Sequence, residues 1–189
     1  VDLKKQTKVS VVENYADLVE VSDKFKAMFY NSGSMINGEI VSVELEPKVV
    51  KGMTLNDVIE KDGVNEKYFV NGSYDKFAYL KGNKKIPRVK PNGEPYIYSE
   101  GAMAFPDPMD RPARTMLTSE GSINRSTHVI LDPKTEEPRL ITPLEAERIN
   151  GFDDNWTNTG MPEKFRYFCM GNALVVPLIE KMGKQILTI

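Results

Sequence analysis

The apolar positions along the first part of the chain follow two different periods. Between residues 34 and 46, apolar and polar residues alternate around Asn37-Gly38, a dipeptide that favours a type I′ turn, so this segment predicts a β-hairpin. Helical spacing occurs in residues 13–30, in SYDKFAYLKG, and in MTLNDVIEKDG with Thr54 as its N-cap. The first part is therefore expected to mix short strands with short helices.

Prolines interrupt the middle of the chain. Six of them lie between residues 83 and 113, where each removes a backbone donor and excludes a long helix. Short strands are expected on both sides of Asn92-Gly93, in IPRVK and YIYSE, and two more in RTMLTS and THVILD. The segment 99–113 is predicted to be a long loop, and long loops in compact domains are usually functional or disordered.

Three short helices are predicted in the last part of the chain. The first begins with a capping box, in which Thr142 is the N-cap, Pro143 takes the first helical position and Glu145 follows three residues after the threonine. PEKFRYFCM predicts a second helix. NALVVPLIEKMGKQI predicts a third, with an apolar stripe of Leu174, Val175, Leu178, Ile179, Met182 and Ile186. These stripes require a partner surface, because three short helices do not enclose a core of their own.

Composition favours a globular chain and argues against several kinds of site. The 189 residues are 40% hydrophobic, yet no apolar run approaches the length of a membrane span and no secretory leader is visible, so a cytoplasmic protein is expected. Cys169 is the single cysteine and His128 the single histidine, which excludes an internal disulfide and argues against a metal site. We expect Cys169 to be a small buried side chain and His128 to be structural.

Charge is distributed unevenly. The chain carries a net charge of −2, whereas residues 81–128 contain eight basic and five acidic residues, a local charge of +3. A positive centre in an acidic chain is compatible with an ordinary solvated surface and with a nucleic-acid contact.

Two segments near the C-terminus resemble the last two conserved motifs of DNA (cytosine-5) methyltransferases. PRLITPLEAERINGFDDNW resembles the first motif at Arg139, Thr142, Pro143, Glu145, Arg148, Gly151, Phe152 and Asp154. MGNALVV resembles the second at Gly171 and Asn172. MTLNDVIEKDGVNEKYFV is similar to the entry of the family's target recognition domain, and SEGAMAFPDPMDRPARTMLTSEGSINRSTHVI to the recognition region of its bacterial restriction-modification members. The resemblance covers residues 50–189.

The resemblance implies an α+β fold, with a small, loop-rich, β-containing target recognition domain and short C-terminal helices that pack on a missing Rossmann-like catalytic domain. Its parts would be 1–50 as a connector, 51–138 as the target recognition domain and 139–189 as the returning helical segment. The family's Phe-x-Gly-x-Gly cofactor loop and Pro-Cys nucleophile do not occur, and Cys169 follows Phe168 instead of a proline. The chain therefore resembles the C-terminal half of a methyltransferase and is expected to be inactive alone.

In this interpretation, the middle of the chain binds double-stranded DNA. Basic side chains of KGNKKIPRVKPNG are expected to meet phosphates, and polar side chains of TSEGSINRSTH to read bases, with Arg125 as the first candidate. Arg111 and Arg114 would either meet phosphate or pair with Asp107 and Asp110. The expected DNA-binding set is Lys81, Asn83, Lys84, Lys85, Arg88, Lys90, Arg111, Arg114, Ser119, Ser122, Asn124, Arg125, Ser126 and Thr127.

The resemblance also implies a cofactor and partners. Asn172 and Ala173 would lie nearest to S-adenosylmethionine, which the absent N-terminal catalytic half would mainly bind, and residues of the first motif would be structural. The implied function is DNA sequence recognition and structural completion of an enzyme that transfers methyl groups to cytosine C5. Two alternatives stay open: a stand-alone DNA-binding module without methyltransferase activity, and a decayed remnant that no longer binds DNA.

Overall fold

The computed structural model describes residues 3–11, 15–25, 29–47 and 50–188, and the chain divides after residue 51 into two compact units. The elements of the first unit are strand β1 (Leu3–Val11), helix α1 (Leu18–Lys24), and strands β2 (Ser32–Ile36) and β3 (Glu39–Leu45). The three strands form an antiparallel sheet in the order β1-β3-β2.

The predicted hairpin of the first unit is confirmed. Asn37 and Gly38 join β2 to β3 with φ angles of 50° and 82°, and a type I′ turn requires positive φ at both central residues. Helix α1 covers the middle of the helix predicted at 13–30, and it begins where the side chain of Asp17 accepts a hydrogen bond from the amide of Glu20. Positions 13, 14 and 26–28 of that prediction lie outside the described residues.

The second unit carries most of the chain. Its helices and strands are α2 (Leu55–Val58), α3 (Tyr74–Lys81), β4 (Lys84–Val89), β5 (Pro95–Glu100), β6 (Val129–Leu131), β7 (Pro138–Leu140), α4 (Pro143–Asn150), α5 (Glu163–Asn172) and α6 (Val176–Ile186). The strands form two separate antiparallel pairs, β4-β5 and β6-β7. None of the described helices has the length and apolar content to cross a membrane.

Three of the four strand predictions in this unit are confirmed and one is wrong. Strands β4 and β5 flank Asn92-Gly93 as expected, and we call this pair with its turn, residues 84–100, the ribbon. RTMLTS is irregular, because Arg114 turns its side chain inward to Asp107 and Met116 is buried in the core. THVILD contains β6, which pairs with β7, a strand that had not been predicted.

The core of the second unit lies where α2, β6, α4 and α5 meet. Its main cluster contains Leu55, Ile59, Met116, Ile130, Ile141, Ala146, Tyr167 and Met170. Cys169 is half-buried and packs against this cluster, so it behaves as the small apolar side chain that its sequence context predicted. A smaller cluster of Val70, Phe77 and Val129 lies beside α3.

Candidate nucleic-acid interface

The ribbon presents two faces of different composition. Residues opposite each other on an antiparallel pair share a face, so Arg88 and Tyr96 lie on one face and Val89 and Pro95 on the other. On the first face the guanidinium of Arg88 lies 4.0 Å from the ring centre of Tyr98, a cation–π contact. The second face is exposed throughout and carries apolar side chains together with the ammonium of Lys85. The ribbon therefore offers solvent both positive charge and apolar surface.

Strong polar contacts hold the base of the ribbon. Arg125 donates to the carbonyl oxygen of Leu80 at 2.7 Å, to that of Gly82 at 3.3 Å, and to that of Gly101. Its guanidinium also lies 3.3 Å from the carboxylate of Glu100. Lys84 donates to the same Leu80 carbonyl at 2.7 Å and pairs with Glu100 at 3.2 Å. The side chain predicted to read bases is thus bonded through both terminal nitrogens to the base of the ribbon, and 24% of it remains exposed.

Glu100 is the acceptor at this base. The hydroxyl of Tyr98 and the ammonium of Lys84 both donate to its carboxylate, and they lower the pKa of Glu100 below its ordinary value. Glu100 had not been singled out from the sequence. The alternation of YIYSE places it on the same face as Tyr98, which is the signal that could have identified it.

The 118–128 loop, in which base-reading side chains were expected, is largely bonded to itself. The carboxamide oxygen of Asn124 accepts from the amides of Ser126 and Thr127 at 2.7 and 3.0 Å, and its nitrogen donates to the carbonyl of Ser119 at 2.9 Å. Thr127 is fully buried and donates its hydroxyl to the carbonyl of Ser122. Asn124 and Thr127 therefore shape the loop from within, while Ser119 and Ser122 stay exposed.

Lys81 also turns inward, contrary to the expectation of a phosphate contact. Its side chain is 0% exposed, and the ammonium donates to the carbonyl of Thr127 at 2.6 Å and lies 3.6 Å from the carboxylate of Asp107. Burial lowers the pKa of Lys81, and the charge of Asp107 opposes that shift. An ammonium in this position cannot reach DNA without unfolding its surroundings.

Arg114 follows the second of the two alternatives left open by the sequence. It donates through Nε and Nη2 to both oxygens of Asp107 at 2.6 and 3.1 Å, and through Nη1 to the carbonyl of Ser126. Burial would raise the pKa of Asp107, but the hydrogen bonds from Arg114 and from the amide of Val129 outweigh burial and hold it below its ordinary value. Arg114 braces the loop, whereas Arg111 is exposed.

The expected DNA-binding set therefore separates into two groups. Residues that are buried or half-buried are Lys81, Lys84, Arg114, Asn124, Arg125, Ser126 and Thr127. Side chains that stay exposed are Asn83, Lys85, Arg88, Lys90, Arg111, Ser119 and Ser122. The exposed group is richest on the ribbon.

A second group of charges lies buried at the start of α4, and we call Arg139, Asp132, Glu145 and Thr142 the Arg139 cluster. Arg139 is 0% exposed and donates to both oxygens of Glu145 at 2.7 and 2.9 Å and to Asp132 at 2.8 Å. Its remaining donors reach the carbonyls of Leu140 and Glu60. Every guanidinium donor thus has an acceptor, as a buried charge requires.

The capping box of α4 is confirmed and is part of this cluster. The amide of Glu145 donates to the hydroxyl of Thr142 at 3.2 Å, and the amide of Thr142 donates to the carboxylate of Glu145 at 2.7 Å. Thr142 in turn donates its hydroxyl to the carboxylate of Glu60 at 2.6 Å. The helix ends at Gly151 with a φ of 80°, a left-handed cap suited to glycine.

Helix α5 lies close against the 118–128 loop and the residue before it. A Cβ atom on Gly171 would lie 2.3–2.5 Å from backbone atoms of Leu117 and Thr118, and one on Gly121 would lie 2.4 Å from the ring of Tyr167. The hydroxyl of Tyr167 donates to the carbonyl of Ile141 at 2.6 Å, and burial raises its pKa. The glycine of the second motif therefore permits a backbone-to-backbone contact that places α5.

His128 lies fully buried below the loop. Its backbone amide donates to Glu120 at 2.7 Å, and Nδ1 lies 3.0 Å from the other carboxylate oxygen of Glu120. This arrangement is the structural role expected for the single histidine. The contact between His128 and Glu120 fixes the end of the loop beside β6. No feature of the sequence indicated that Glu120 is the partner of His128.

The residues expected near a cofactor lie at the junction of α5 and α6. Asn172 is exposed and its amide nitrogen donates to the carbonyl of Phe168 at 3.0 Å. Ala173 lines an open cavity of about 470 Å³ with Phe152, Leu174, Val176, Ile179 and Glu180. The predicted apolar stripe lies along this junction and α6, and most of its side chains stand in solvent, as exposed fractions of 68% at Leu174 and 55% at Leu178 illustrate.

Comparison with known proteins identifies relatives of the chain. The family model for C-5 cytosine-specific DNA methylase matches residues 3–188. The chain is 54% identical over 171 residues to the Type II methyltransferase M.Sau3AI of Staphylococcus aureus, a match that covers 90% of this chain and 40% of that protein. The chain thus spans well under half the length of this curated relative.

The solved structures that match part of the chain include two methyltransferases. The structure of S. pombe Dnmt2 methyltransferase has a TM-score of 0.50 at 14% identity, over 79% of this chain and 50% of that one. The Entamoeba histolytica methyltransferase EhMeth has a TM-score of 0.48 at 18% identity, over 77% of this chain and 46% of that one. At 14% identity, the similarity to the S. pombe protein is a similarity of fold and does not indicate a shared function.

Proposed function

The chain belongs to the C-5 cytosine-specific DNA methylase family, and we propose that it supplies the DNA recognition and the structural completion of such a methyltransferase while the catalytic domain lies outside it. Residues 1–50 would connect to the catalytic domain, 51–138 would recognise DNA, and 139–189 would return to the catalytic domain. The chemistry requires a thiolate that attacks cytosine. Cys169, the single cysteine, is half-buried on α5 and packs against the core. It is therefore unsuited to that role.

The observation that carries the recognition role is the exposed charge on the ribbon. Lys85, Arg88 and Lys90 stand in solvent on a two-stranded element, the shape that a DNA major groove admits. The ammonium of Lys90 forms an ion pair with the carboxylate of Glu94 at 2.9 Å. Both side chains are more than half exposed, so phosphate can compete for the ammonium. In this role the lysines would position the chain on the phosphates, and Arg88 would lie closest to base edges.

The completion role is supported by the exposed apolar surface of α6. Ile186 is 69% exposed, Met182 53% and Ile179 39%, and an apolar surface of this kind marks an interaction site. The chain covers 40% of its Staphylococcus relative, so a catalytic half of matching origin would supply the missing surface.

S-adenosylmethionine supplies the methyl group when it is bound in such an enzyme. Ala173 and Phe152 form one apolar wall of the cavity at the α5–α6 junction, which is suited to one side of a purine. Asn172 lies one residue away, and the amide nitrogen of its side chain donates to the carbonyl of Phe168. These residues would line one side of the cofactor site, and the catalytic half would provide the rest.

Reconstitution tests the proposal. We expect this chain, mixed with the catalytic half of its own methyltransferase, to transfer labelled methyl groups from S-adenosylmethionine to cytosine C5 of duplex DNA, and to transfer none alone. Absence of transfer with a catalytic half of verified sequence and fold would overturn the completion role. Tight, sequence-selective binding without transfer would favour the stand-alone binding module instead.

Salt dependence tests the ribbon. Each phosphate contact contributes a slope of about 0.9 to the fall of log K with log salt concentration. The double variant Lys85→Ala/Lys90→Ala should therefore lower that slope by roughly 1–2 in the reconstituted enzyme. The matched control Lys76→Ala/Lys134→Ala removes the same charge from exposed positions outside the ribbon and should leave the slope unchanged. Equal slopes for both variants would place the phosphate contacts elsewhere.

A further inference from the structure

We infer that Arg125 is a positioning residue, which locks the ribbon onto the 118–128 loop and acts on DNA recognition through the ribbon and not by touching a base; this inference rests on the recognition role proposed above. The observation behind it is the convergence of one guanidinium on both ends of the ribbon. Gly82 lies just before β4, and Gly101 just after β5, and Arg125 donates to both carbonyls. One side chain thereby fixes where both strands leave the body of the unit.

Both terminal nitrogens of Arg125 already hold hydrogen bonds within the protein. Nη1 reaches the carbonyls of Leu80 and Gly82, Nη2 reaches Gly101, and Glu100 lies 3.3 Å from Nη1. A base-reading arginine needs two free parallel N–H groups for guanine. To turn these nitrogens toward a base, Arg125 would have to give up its bonds to the carbonyls of Gly82 and Gly101, neither of which receives a bond from Lys84, and such a loss of polar contacts is costly.

The ribbon has few other attachments to the body of its unit. Its second face is exposed along its length, with Val89 68% and Ile97 62% exposed, so packing can hold it only through the first face, where Ile86 and Tyr98 are half-buried. Other contacts at its base are those of Lys84, whose ammonium also lies 5.0 Å from the ring centre of Tyr79, and the bond from the amide of Met103 to the carbonyl of Lys81 at 2.8 Å. A single two-stranded hairpin is marginally stable by itself. Its direction therefore depends on polar contacts at the base, among which those of Arg125 are the most numerous.

Arginine suits this task better than lysine. Its planar group presents donors in a fixed fork, which can join carbonyls on separate segments, whereas a lysine ammonium at this position can replace one or two of those contacts. The neighbouring Asn124 and Thr127 hold the loop from within, so Arg125 extends from a rigid base. Asn124 therefore holds the loop, the loop holds Arg125, and Arg125 holds the base of the ribbon. Through these contacts the loop sets the direction of the ribbon.

Amide hydrogen exchange tests the lock without DNA. In the full chain, Arg125→Ala should raise the exchange rate of amides within the ribbon by at least about tenfold, because opening of the hairpin base becomes easier. Amides of α4 should keep their rates and so report that the unit is folded. The control Arg111→Ala removes an exposed arginine and should leave ribbon exchange unchanged. Unchanged ribbon exchange in Arg125→Ala would overturn the inference, and Arg125→Lys should give an intermediate rate.

A double-mutant cycle tests the route to DNA. In the reconstituted methyltransferase, Lys85→Ala/Arg88→Ala should weaken DNA binding by about 10- to 100-fold. In an Arg125→Ala background the same pair of substitutions should weaken DNA binding by less than about a further threefold, because a displaced ribbon no longer places those side chains against DNA. Losses that multiply would mean an independent contact by Arg125 and would overturn the inference. Absence of DNA binding by the unmodified assembly would overturn the proposed function and this route together, whereas the exchange experiment judges the lock separately.

Discussion

Basic side chains serve opposite purposes in the Arg139 cluster and in the ribbon. Arg139 is 0% exposed, and each of its donors meets an acceptor that is itself held in place. Lys85 and Arg88 are exposed on a hairpin with one open face. The two regions lie in the same compact unit, so the contrast does not come from different folds.

The difference teaches how to separate structural from recognition charges. A buried charge is tolerated only when partners satisfy it completely, which fixes geometry but leaves no donor for a ligand. A charge held in solvent contributes little to stability and keeps its donors for phosphates or bases. By this criterion Lys81, Arg114 and Arg125 resemble Arg139, although their sequence neighbourhood had grouped them with the ribbon.

The largest expected effect is the loss of Arg139. Arg139→Ala leaves Glu145 and Asp132 buried without their cation, which typically costs about 3–5 kcal/mol of unfolding free energy. Chemical denaturation followed by circular dichroism measures it. Arg88→Ala is the matched control and should change stability by less than about 0.5 kcal/mol. Similar losses for the two variants would break the comparison between the cluster and the ribbon.

The next effect concerns the glycine of the second motif. Gly171→Ala would place a Cβ 2.3–2.5 Å from the backbone of Leu117 and Thr118, which must move, and overpacking of this kind costs about 1–3 kcal/mol. Gly183→Ala is the control on the neighbouring helix α6, where nothing lies within 4 Å, and it should stabilise the helix by about 0.5–1 kcal/mol. The same chemical denaturation experiment compares both variants, and changes of opposite sign in the unfolding free energy are expected. A neutral Gly171→Ala would show that α5 does not depend on this close approach.

Local signals in the sequence predicted much of the fold. The turn at Asn37-Gly38, the strands around Asn92-Gly93 and the capping box at Thr142 each depend on residues within a few positions, and all are confirmed. Strand β7 was missed because three residues that begin with a proline carry no readable period. RTMLTS was wrongly predicted as a strand because its arginine and methionine find partners distant in sequence.

The sequence predicted which basic residues belong to the candidate site, but it did not predict which of their side chains point into the protein and which point into solvent. The sequence marks residues 81–128 as basic, and the exposed lysines of the ribbon are among those it selected. Which charges turn inward depends on Asp107, Glu100 and the carbonyls at 80, 82 and 101, which reach Lys81, Arg114 and Arg125 only after folding. No spacing rule in the sequence indicates these contacts.

Within the Arg139 cluster, loss of the capping residue Thr142 should cost less stability than loss of the buried charge of Arg139. Thr142→Ala removes the acceptor for the amide of Glu145 and the donor to Glu60, and loss of such a cap costs about 1 kcal/mol. Thr142→Ser keeps the hydroxyl and should retain most of that stability. Denaturation midpoints of the two variants measure the difference. Equal losses would mean that the methyl group, and not the cap, stabilises the start of this helix.

The smallest effect should come from Arg148, a residue of the same motif whose charge lies near the surface. It donates to both oxygens of Asp154 at 2.6 Å, but the two side chains are 32% and 49% exposed. Such pairs contribute about 0.2–1 kcal/mol, so Arg148→Ala should cost several times less than Arg139→Ala. The hydrogen bond from Arg148 holds the pKa of Asp154 below its ordinary value of 3.8.

That pKa gives the pair a signature in pH. Because the carboxyl is more acidic in the folded chain, the stability it contributes is present above the unfolded pKa and is lost as pH falls through the folded one. The difference in unfolding free energy between the unmodified chain and Arg148→Ala should therefore shrink below about pH 4, and should also shrink in high salt. A difference as large as that of Arg139→Ala, and insensitive to salt, would mean that membership of the motif, and not burial, decides what a basic residue of this chain contributes.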